Sequence, residues 1–387
     1  MLNSVFMAYF DNNATTPIGK KALECYIESS GTDWYNPSSP FRSASKVRAN
    51  LEILREKFAS FFSLNPEQVI FTSGATESNN AVFANCSNIQ GAQSVCLISP
   101  FEHPSITESA IRWFGENILY LPTDGGGKVL LDGVESILEQ EKITLVSLIA
   151  ANNETGILQP WYELSKLCSE RGIFFHTDAT QWIGKLDIEK LSSCTSFSGS
   201  GHKFFGPKGV GWLATTSPIN LFCGGKQEFG YRGGTENYPA ILSMFTAFKN
   251  VQTEISDAHK REIWRDDFEK WILSEIPGAR ILGVNSERLW NTSMIILPKF
   301  DNLRWVGKLD KLGFQVSTGS ACSVGNHSDR KSIMKAYGLD NQEINRLVRI
   351  SSYLNHSQSD WDNLKFAIHT VYEELQSDSI GSTIVSV

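Results

Sequence analysis

The sequence predicts an α/β protein built on a mainly parallel sheet with helices on both faces. Three observations carry this. Short, unbroken apolar runs of strand length recur through the first two-thirds of the 387-residue chain. Stretches of helical length lie between them, and alternation of the two implies βαβ crossovers, whose strands are buried on both faces and so read as continuous apolar runs. The polar, chemically capable residues fall just beyond the ends of those runs, where open α/β sheets hold their ligands.

Taken in order, Val69-Ile70-Phe71-Thr72 reads as a buried strand, followed by a Ser73-Gly74 turn and a helix from Ala75. Val95 to Ser99, Ile118 to Leu121 and Thr144 to Ala150 are further strands, with helices over Ser105–Phe114 and Leu131–Gln140 between them. Tyr162 to Arg171 is helical, stops at Gly172 and leads into the strand Ile173–Thr177; Val210 to Ala214 is another short strand. Asn237 to Ile276 is helical and richly charged, as a connecting segment would be. Beyond it, Asn291–Leu297 reads as a strand and Leu303–Leu312 as a helix. A chain of this length exceeds one ordinary core. The expected division is a large domain over 14–254 and a smaller α+β domain from 1–13 with 255–387. The serine-rich tail from Gln376 to Val387 is expected to be loosely ordered.

Hydrophobic residues make up 41% and charged residues 20%, the composition of an ordinary globular protein. A net charge of -7 without basic blocks argues against a nucleic-acid or anionic-membrane surface. No apolar run approaches the ~20 residues of a membrane span. Without a basic stretch leading into an apolar segment at the start, a cytoplasmic location is expected. The cysteines are odd in number, at 7, and scattered without CxxC pairs. That pattern suits reduced thiols and argues against a disulfide framework or a structural metal site.

The most informative run is Ser198-Gly199-Ser200-Gly201-His202-Lys203-Phe204-Phe205-Gly206-Pro207-Lys208-Gly209. A lysine in a glycine-rich loop can be a solvated charge. In a desolvated pocket it is instead a Schiff-base amine, since only the neutral form attacks a carbonyl. Ser73-Gly74-Ala75-Thr76-Glu77-Ser78, between strand and helix, suits either a phosphate cradle or a capping box. Asp178 ends a strand, where it can pair with a cationic heterocycle or cap the next helix. His103 follows another strand end and can stack on a flat ring, move protons or serve structure alone. Asn152-Asn153-Glu154-Thr155-Gly156 could hold a ring hydroxyl or simply form a polar turn. Tyr231-Arg232-Gly233-Gly234-Thr235 offers a phosphate site or a surface loop. Cys322, in Gly319-Ser320-Ala321-Cys322, lies among small residues that cannot bury it deeply, which makes it a candidate nucleophile. Arg349 is a lone charge in an apolar run and needs a buried partner, such as a substrate carboxylate. Together these groups describe pyridoxal 5'-phosphate (PLP) chemistry.

From Tyr9-Phe10-Asp11-Asn12-Asn13-Ala14-Thr15-Thr16-Pro17 through Asn36-Pro37-Ser38-Ser39 to the Arg349 segment, the chain resembles the cysteine desulfurases of the NifS/IscS type within the class V aminotransferases. Ser200-Gly201-His202-Lys203 and Gly319-Ser320-Ala321-Cys322 are specific together. The resemblance implies PLP fold type I with a seven-stranded sheet. It assigns Lys203 to the cofactor linkage, Asp178 to the pyridine nitrogen, and His103 to ring stacking and proton transfer. Asn153 and Gln181 would contact the phenolic oxygen, and Ala75, Thr76, Ser200 and His202 the phosphate. Thr235 would reach in from the second subunit of a homodimer. Asn36, or the backbone near Ala14 and Thr15, together with Arg349 would grip the carboxylate of L-cysteine. Cys322 would take the sulfur as a persulfide and pass it to an acceptor protein.

The Gly319–Ala336 spacing resembles the long-loop subgroup, which hands sulfur directly to a partner. Cys194-Thr195 replaces the family's acid before the lysine-bearing strand, and Ser351-Ser352-Tyr353-Leu354-Asn355 replaces its Ser-Leu-Gly-Arg run. Iron–sulfur cluster assembly, tRNA thiolation and DNA sulfur modification therefore all stay open as destinations of the sulfur. A selenocysteine lyase, another class V lyase or aminotransferase, and a non-catalytic scaffold are the alternatives. The absence of a GxGxxG after the first strand excludes a nicotinamide dehydrogenase.

Overall fold

The computed structural model describes residues 8–89, 91–319 and 337–384. In chain order its strands are β1 (Ala8–Tyr9), β2 (Val69–Thr72), β3 (Val95–Ile98), β4 (Ile118–Tyr120), β5 (Ile143–Ser147), β6 (Phe174–Asp178), β7 (Ser196–Ser200) and β8 (Gly211–Thr215). The second half adds β9 (Arg280–Ile281), β10 (Thr292–Ile296), β11 (Phe314–Gln315) and β12 (Leu347–Ser351). The helices are α1 (Lys20–Thr32), α2 (Arg42–Ser60), α3 (Ala75–Ser87), α4 (Pro104–Phe114), α5 (Val134–Gln140) and α6 (Trp161–Glu170). After them come α7 (Tyr238–Glu254), α8 (Glu262–Glu275), α9 (Asn302–Lys311), the short α10 (Asn341–Ile344) and α11 (Gln358–Ile384).

A seven-stranded sheet in the order β2-β8-β7-β6-β5-β3-β4 carries the larger half. Only β8 runs against its neighbours, so the sheet is mainly parallel, as the unbroken apolar runs require. Alternate residues of each strand enter opposite cores. Leu97, Val146 and Trp212 join Phe58, Phe62 and Phe248 on one face, while Ile98, Leu145 and Leu213 join Val82, Phe83, Ile106 and Phe114 of α3 and α4 on the other. The free edge of β2 is closed by side chains: Arg55 donates to the carbonyl of Val69 at 2.8 Å, and Glu228 accepts from the N–H of Phe71 at 2.7 Å. That leaves no open ladder there for a second chain.

β7 is the strand that apolarity does not announce, because its sequence is Ser-Phe-Ser-Gly-Ser. Its serine hydroxyls are buried against polar partners: Ser196 bonds His176 at 2.8 Å and Ser198 bonds Asn79 at 2.7 Å. Close packing fixes the glycines: a Cβ at Gly199 would stand 2.2 Å from Trp212, which crosses the strand at that point. α5 starts three residues later than its pattern suggests, because Gly133 takes a left-handed conformation (φ 87°) and breaks the approach.

The second sheet, β12-β10-β9, is antiparallel and packs with α8, α9 and α11 around Trp305, Trp361 and Leu364. Phe10, at the start of the chain, belongs to this core, and β1 pairs in parallel with β11. As far as Ile384 the tail is helical, because α11 runs to that residue. Leu375 is fully buried in the second core, and Lys308 reaches Glu374 at 2.9 Å and Asp378 at 3.2 Å. Those anchors tie α11 to the second core as far as Asp378.

Candidate active site

The carboxyl ends of β2, β3, β5, β6 and β7 open onto one edge of the sheet, and most of the sequence's candidate residues gather there. Lys203 ends a helical turn directly after β7. Its Nζ donates to the main-chain carbonyls of Asn13 at 2.7 Å and Ala14 at 2.9 Å, so the N-terminal segment aims this amine. His202 bonds Thr15 through Nδ1 at 3.1 Å. Burial and the neighbouring Lys203 push its pKa down to about 3, so it stays neutral.

Asp178, at the end of β6, is 3% exposed, and its carboxylate accepts from Asn79 Nδ2 at 2.8 Å and the N–H of Thr180 at 3.0 Å. It therefore caps its own turn and also presents a fixed charge in the crevice. His103 begins α4, with Nδ1 accepting from the N–H of Ser105 at 3.1 Å. Burial lowers its pKa, Asp178 opposes that shift and Lys203 adds to it, so both groups act electrostatically on the ring.

Gly74, not a hydroxyl, precedes α3, and no side chain caps that helix end. The Glu77 carboxylate instead accepts from the N–H of Ser73 at 2.8 Å and pairs with Arg232 at 3.0 Å. Gly74 has φ 153°, and a Cβ there would stand 3.5 Å from Ser200 Oγ. Gly74 thus brings the start of α3, with Ala75 and Thr76, up against Ser200. Arg232 is neutralised by Glu77 and ties its loop to α3.

Arg349, on β12, is 2% exposed. It pairs with Asp11 at 2.5 Å and donates to the Asn153 carbonyl at 3.0 Å, while its buried Nε has no partner among the described residues. Asn153 joins the site through that carbonyl, which also accepts from Asn13 at 3.2 Å. Gln181 donates from Nε2 to the carbonyl of Asn13 at 2.9 Å. Asn36 is exposed and closes its own turn by accepting from the N–H of Ser38 at 2.9 Å. Thr235 is exposed on its loop. Cys322 lies outside the described residues, as does most of its loop.

Three residues of the site have no counterpart among the sequence candidates. Asn13 supplies the carbonyl that both Lys203 and Gln181 use. Asn79 is fully buried and links Asp178 to its surroundings. Lys185 is 1% exposed and donates to Gln181 Oε1 at 2.6 Å. Burial, then Lys203 and Arg349, hold its pKa well below the ordinary lysine value. Helical spacing was the available signal: Asn79 lies three residues beyond Thr76, and Lys185 four beyond Gln181.

The donor set fits PLP. A positioned primary amine suits its carbonyl, a buried and doubly hydrogen-bonded carboxylate suits its ring nitrogen, and the glycine-lined corner beside Ser200 suits its phosphate. Fold and site together define a PLP-dependent enzyme of fold type I. More narrowly, the chain belongs to the aminotransferase class-V family, whose profile matches residues 8–364. It is 31% identical to a cysteine desulfurase of Trichormus azollae, over 95% of this chain and 94% of that one. Among solved structures it superposes on a NifS-like protein with a TM-score of 0.86 at 29% identity, covering 96% of this chain and all of the other. SspA in complex with cysteine gives a TM-score of 0.74 at 27% identity over 89% of this chain and 98% of that one. No helix among the described residues is long and apolar enough to cross a membrane.

Proposed function

We propose that the chain is a cysteine desulfurase: it removes sulfur from L-cysteine, releases L-alanine and keeps the sulfur as a persulfide on Cys322. The observation that carries this reading is the joining of Lys203, Asp178 and His103 at one sheet edge, in a chain that also holds the Gly319–Cys322 motif. Similarity to cysteine desulfurases over nearly the whole chain supports it.

PLP, when bound, supplies an electron sink that labilises the bonds of a substrate amine. Lys203 carries the linkage amine and moves the Cα proton at Nζ. Asp178 would pair with the ring nitrogen and so favour its protonated form. Arg349, steadied by Asp11 and the Asn153 carbonyl, orients the substrate carboxylate, with Asn36 as its partner contact. Ala75, Thr76, Ser200 and His202 would hold the phosphate, Thr235 would complete that site from the second subunit of a homodimer, and Asn153 and Gln181 would contact the phenolic oxygen. The Cys322 thiolate attacks the substrate sulfur: an S–S bond forms, the Cβ–S bond breaks, and a proton on carbon completes alanine. An acceptor protein then takes the outer sulfur, for iron–sulfur assembly, tRNA thiolation or DNA modification, in the cytoplasm. Residues 14–254 form the cofactor domain in this reading, with 1–13 and 255–387 forming the domain that bears the cysteine.

The test is alanine and persulfide formation from L-cysteine by the holoenzyme. Lys203→Ala should lose both the visible absorbance of the bound cofactor and the alanine. Cys322→Ser should keep the absorbance and lose the persulfide; full sulfur transfer by that variant would overturn the mechanism. Faster turnover of selenocysteine than of cysteine would move the assignment to a selenocysteine lyase.

A further inference from the structure

Behind the site lies a hydrogen-bonded network centred on the fully buried amide of Asn79. Its Oδ1 lies 2.7 Å from Ser198 Oγ and 3.0 Å from His176 Nε2, and its Nδ2 lies 2.8 Å from both Asp178 Oδ2 and Ser105 Oγ. Only one orientation of the amide fits, because the opposite one would turn its oxygen toward a carboxylate that can only accept. Every direction downstream is then fixed. His176 donates from Nε2 and accepts from Ser196 at Nδ1, and Ser198 donates to Asn79.

Ser105 receives one Asn79 N–H on its hydroxyl oxygen, and its own O–H is left facing His103 Nδ1 at 2.9 Å. The main-chain N–H of Ser105, which can only donate, points at the same nitrogen from 3.1 Å. A ring nitrogen that receives two donors carries no proton of its own in the neutral imidazole.

We infer that Asn79 and Ser105 are positioning residues that lock His103 as its Nε2–H tautomer and tie that choice to the placement of Asp178. Two different elements thereby answer to one amide: the α4 start, which carries the imidazole, and the β6 end, which carries the acid. Burial keeps His103 neutral near pH 7, so the tautomer decides its chemistry. His103 presents a proton donor at Nε2, and its Nδ1 lone pair is occupied, so the ring begins each cycle as a hydrogen-bond donor rather than a base. The consequence for catalysis rests on the desulfurase reading; the tautomer itself does not.

The test is a long-range proton–nitrogen correlation spectrum of holoprotein labelled with nitrogen-15 histidine, with His103→Gln assigning the signal. The expected wild-type pattern is Nε2–H for His103. Ser105→Ala, which removes the hydroxyl and spares the backbone donor, should give a measurable Nδ1–H population and about a tenfold lower kcat with KM for cysteine little changed. Ser105→Thr, which restores the hydroxyl, should recover both. An Nδ1–H pattern in the wild type would overturn the inference, as would a Ser105→Ala protein with unchanged tautomer and kcat. A wild type that shows Nε2–H and forms no alanine from cysteine would overturn the desulfurase reading and leave this one standing.

Discussion

Replacing Arg55 by methionine should destabilise the fold by about 4 kcal/mol, for reasons local to one ion pair. Arg55 and Glu228 have side chains 1% and 2% exposed and meet in a bidentate pair, at 2.6 and 2.7 Å. The guanidinium also lies 4.7 Å from the ring centre of Phe71 and 5.0 Å from that of Phe229. Glu228 and Phe229 both have left-handed backbones, at φ 48° and 59°, a conformation that must be held by surrounding contacts. Arg55→Met leaves a buried carboxylate with one backbone donor. Glu228→Leu leaves a guanidinium that retains Glu52 at 3.1 Å and the Val69 carbonyl, so its cost is lower, about 3 kcal/mol. In the double variant no charge is stranded, and the loss reduces to the orphaned Val69 carbonyl and Phe71 N–H on the edge of β2, again about 3 kcal/mol. The two single losses should therefore exceed the double by about 4 kcal/mol. Reversible urea unfolding of the four proteins, followed by tryptophan fluorescence, measures that coupling. Additivity within about 0.5 kcal/mol would refute the claim that the pair acts as a unit.

Lys185→Met isolates a protonation effect. Burial holds the folded-state pKa of this amine well below its ordinary value of 10.5, so between that lowered value and 10.5 the unfolded state binds the extra proton. Across that window wild-type stability should gain on the variant by up to about 1.4 kcal/mol per pH unit as pH rises; parallel urea midpoints from pH 7 to 9 would contradict this. Gly211→Ala would set a Cβ 2.4 Å from the Gly199 carbonyl and 2.7 Å from Gly74 Cα, both backbone. It should lower stability by about 3 kcal/mol and loosen PLP by shifting the phosphate corner, read as Tm and as cofactor retained after dialysis. Burial pushes the thiols of Cys86, Cys96 and Cys168 up to about 12 and that of Cys194 higher still, whereas Cys223 is exposed. Ellman's reagent at pH 8 should label Cys223 at once and reach those four only in denaturant.

What could be read from the sequence was whatever announces itself locally. Apolar runs located most strands of the large sheet, polar residues at their ends marked Asp178 and His103, and the glycine-rich run marked Lys203. β7 escaped because burial there is satisfied by serine hydroxyls bonding His176 and Asn79, which no hydropathy pattern reports. Arg349 was legible as a charge needing a partner, but Asp11 lies 338 positions away and only folding joins them. Asn79 and Lys185 are ordinary polar residues on helical or turn segments until the fold removes their water. The ordered end of α11 was hidden for a similar reason: Lys308, which holds it, belongs to α9.

The pairing of β1 with β11 also sets a timetable. The segment that follows β1 supplies the carbonyls of Asn13 and Ala14 that hold Lys203, yet β1 finds its partner only at Phe314–Gln315. Roughly 300 residues must be synthesised in between, a wait of about 15–60 s at ordinary translation rates. Until then this segment can already bond Gln181, His202 and Lys203 at the sheet edge, but β1 ahead of it has no strand to pair with. A chain cut before Phe314 would thus keep the bonds to Lys203 and lose the strand that anchors their N-terminal end.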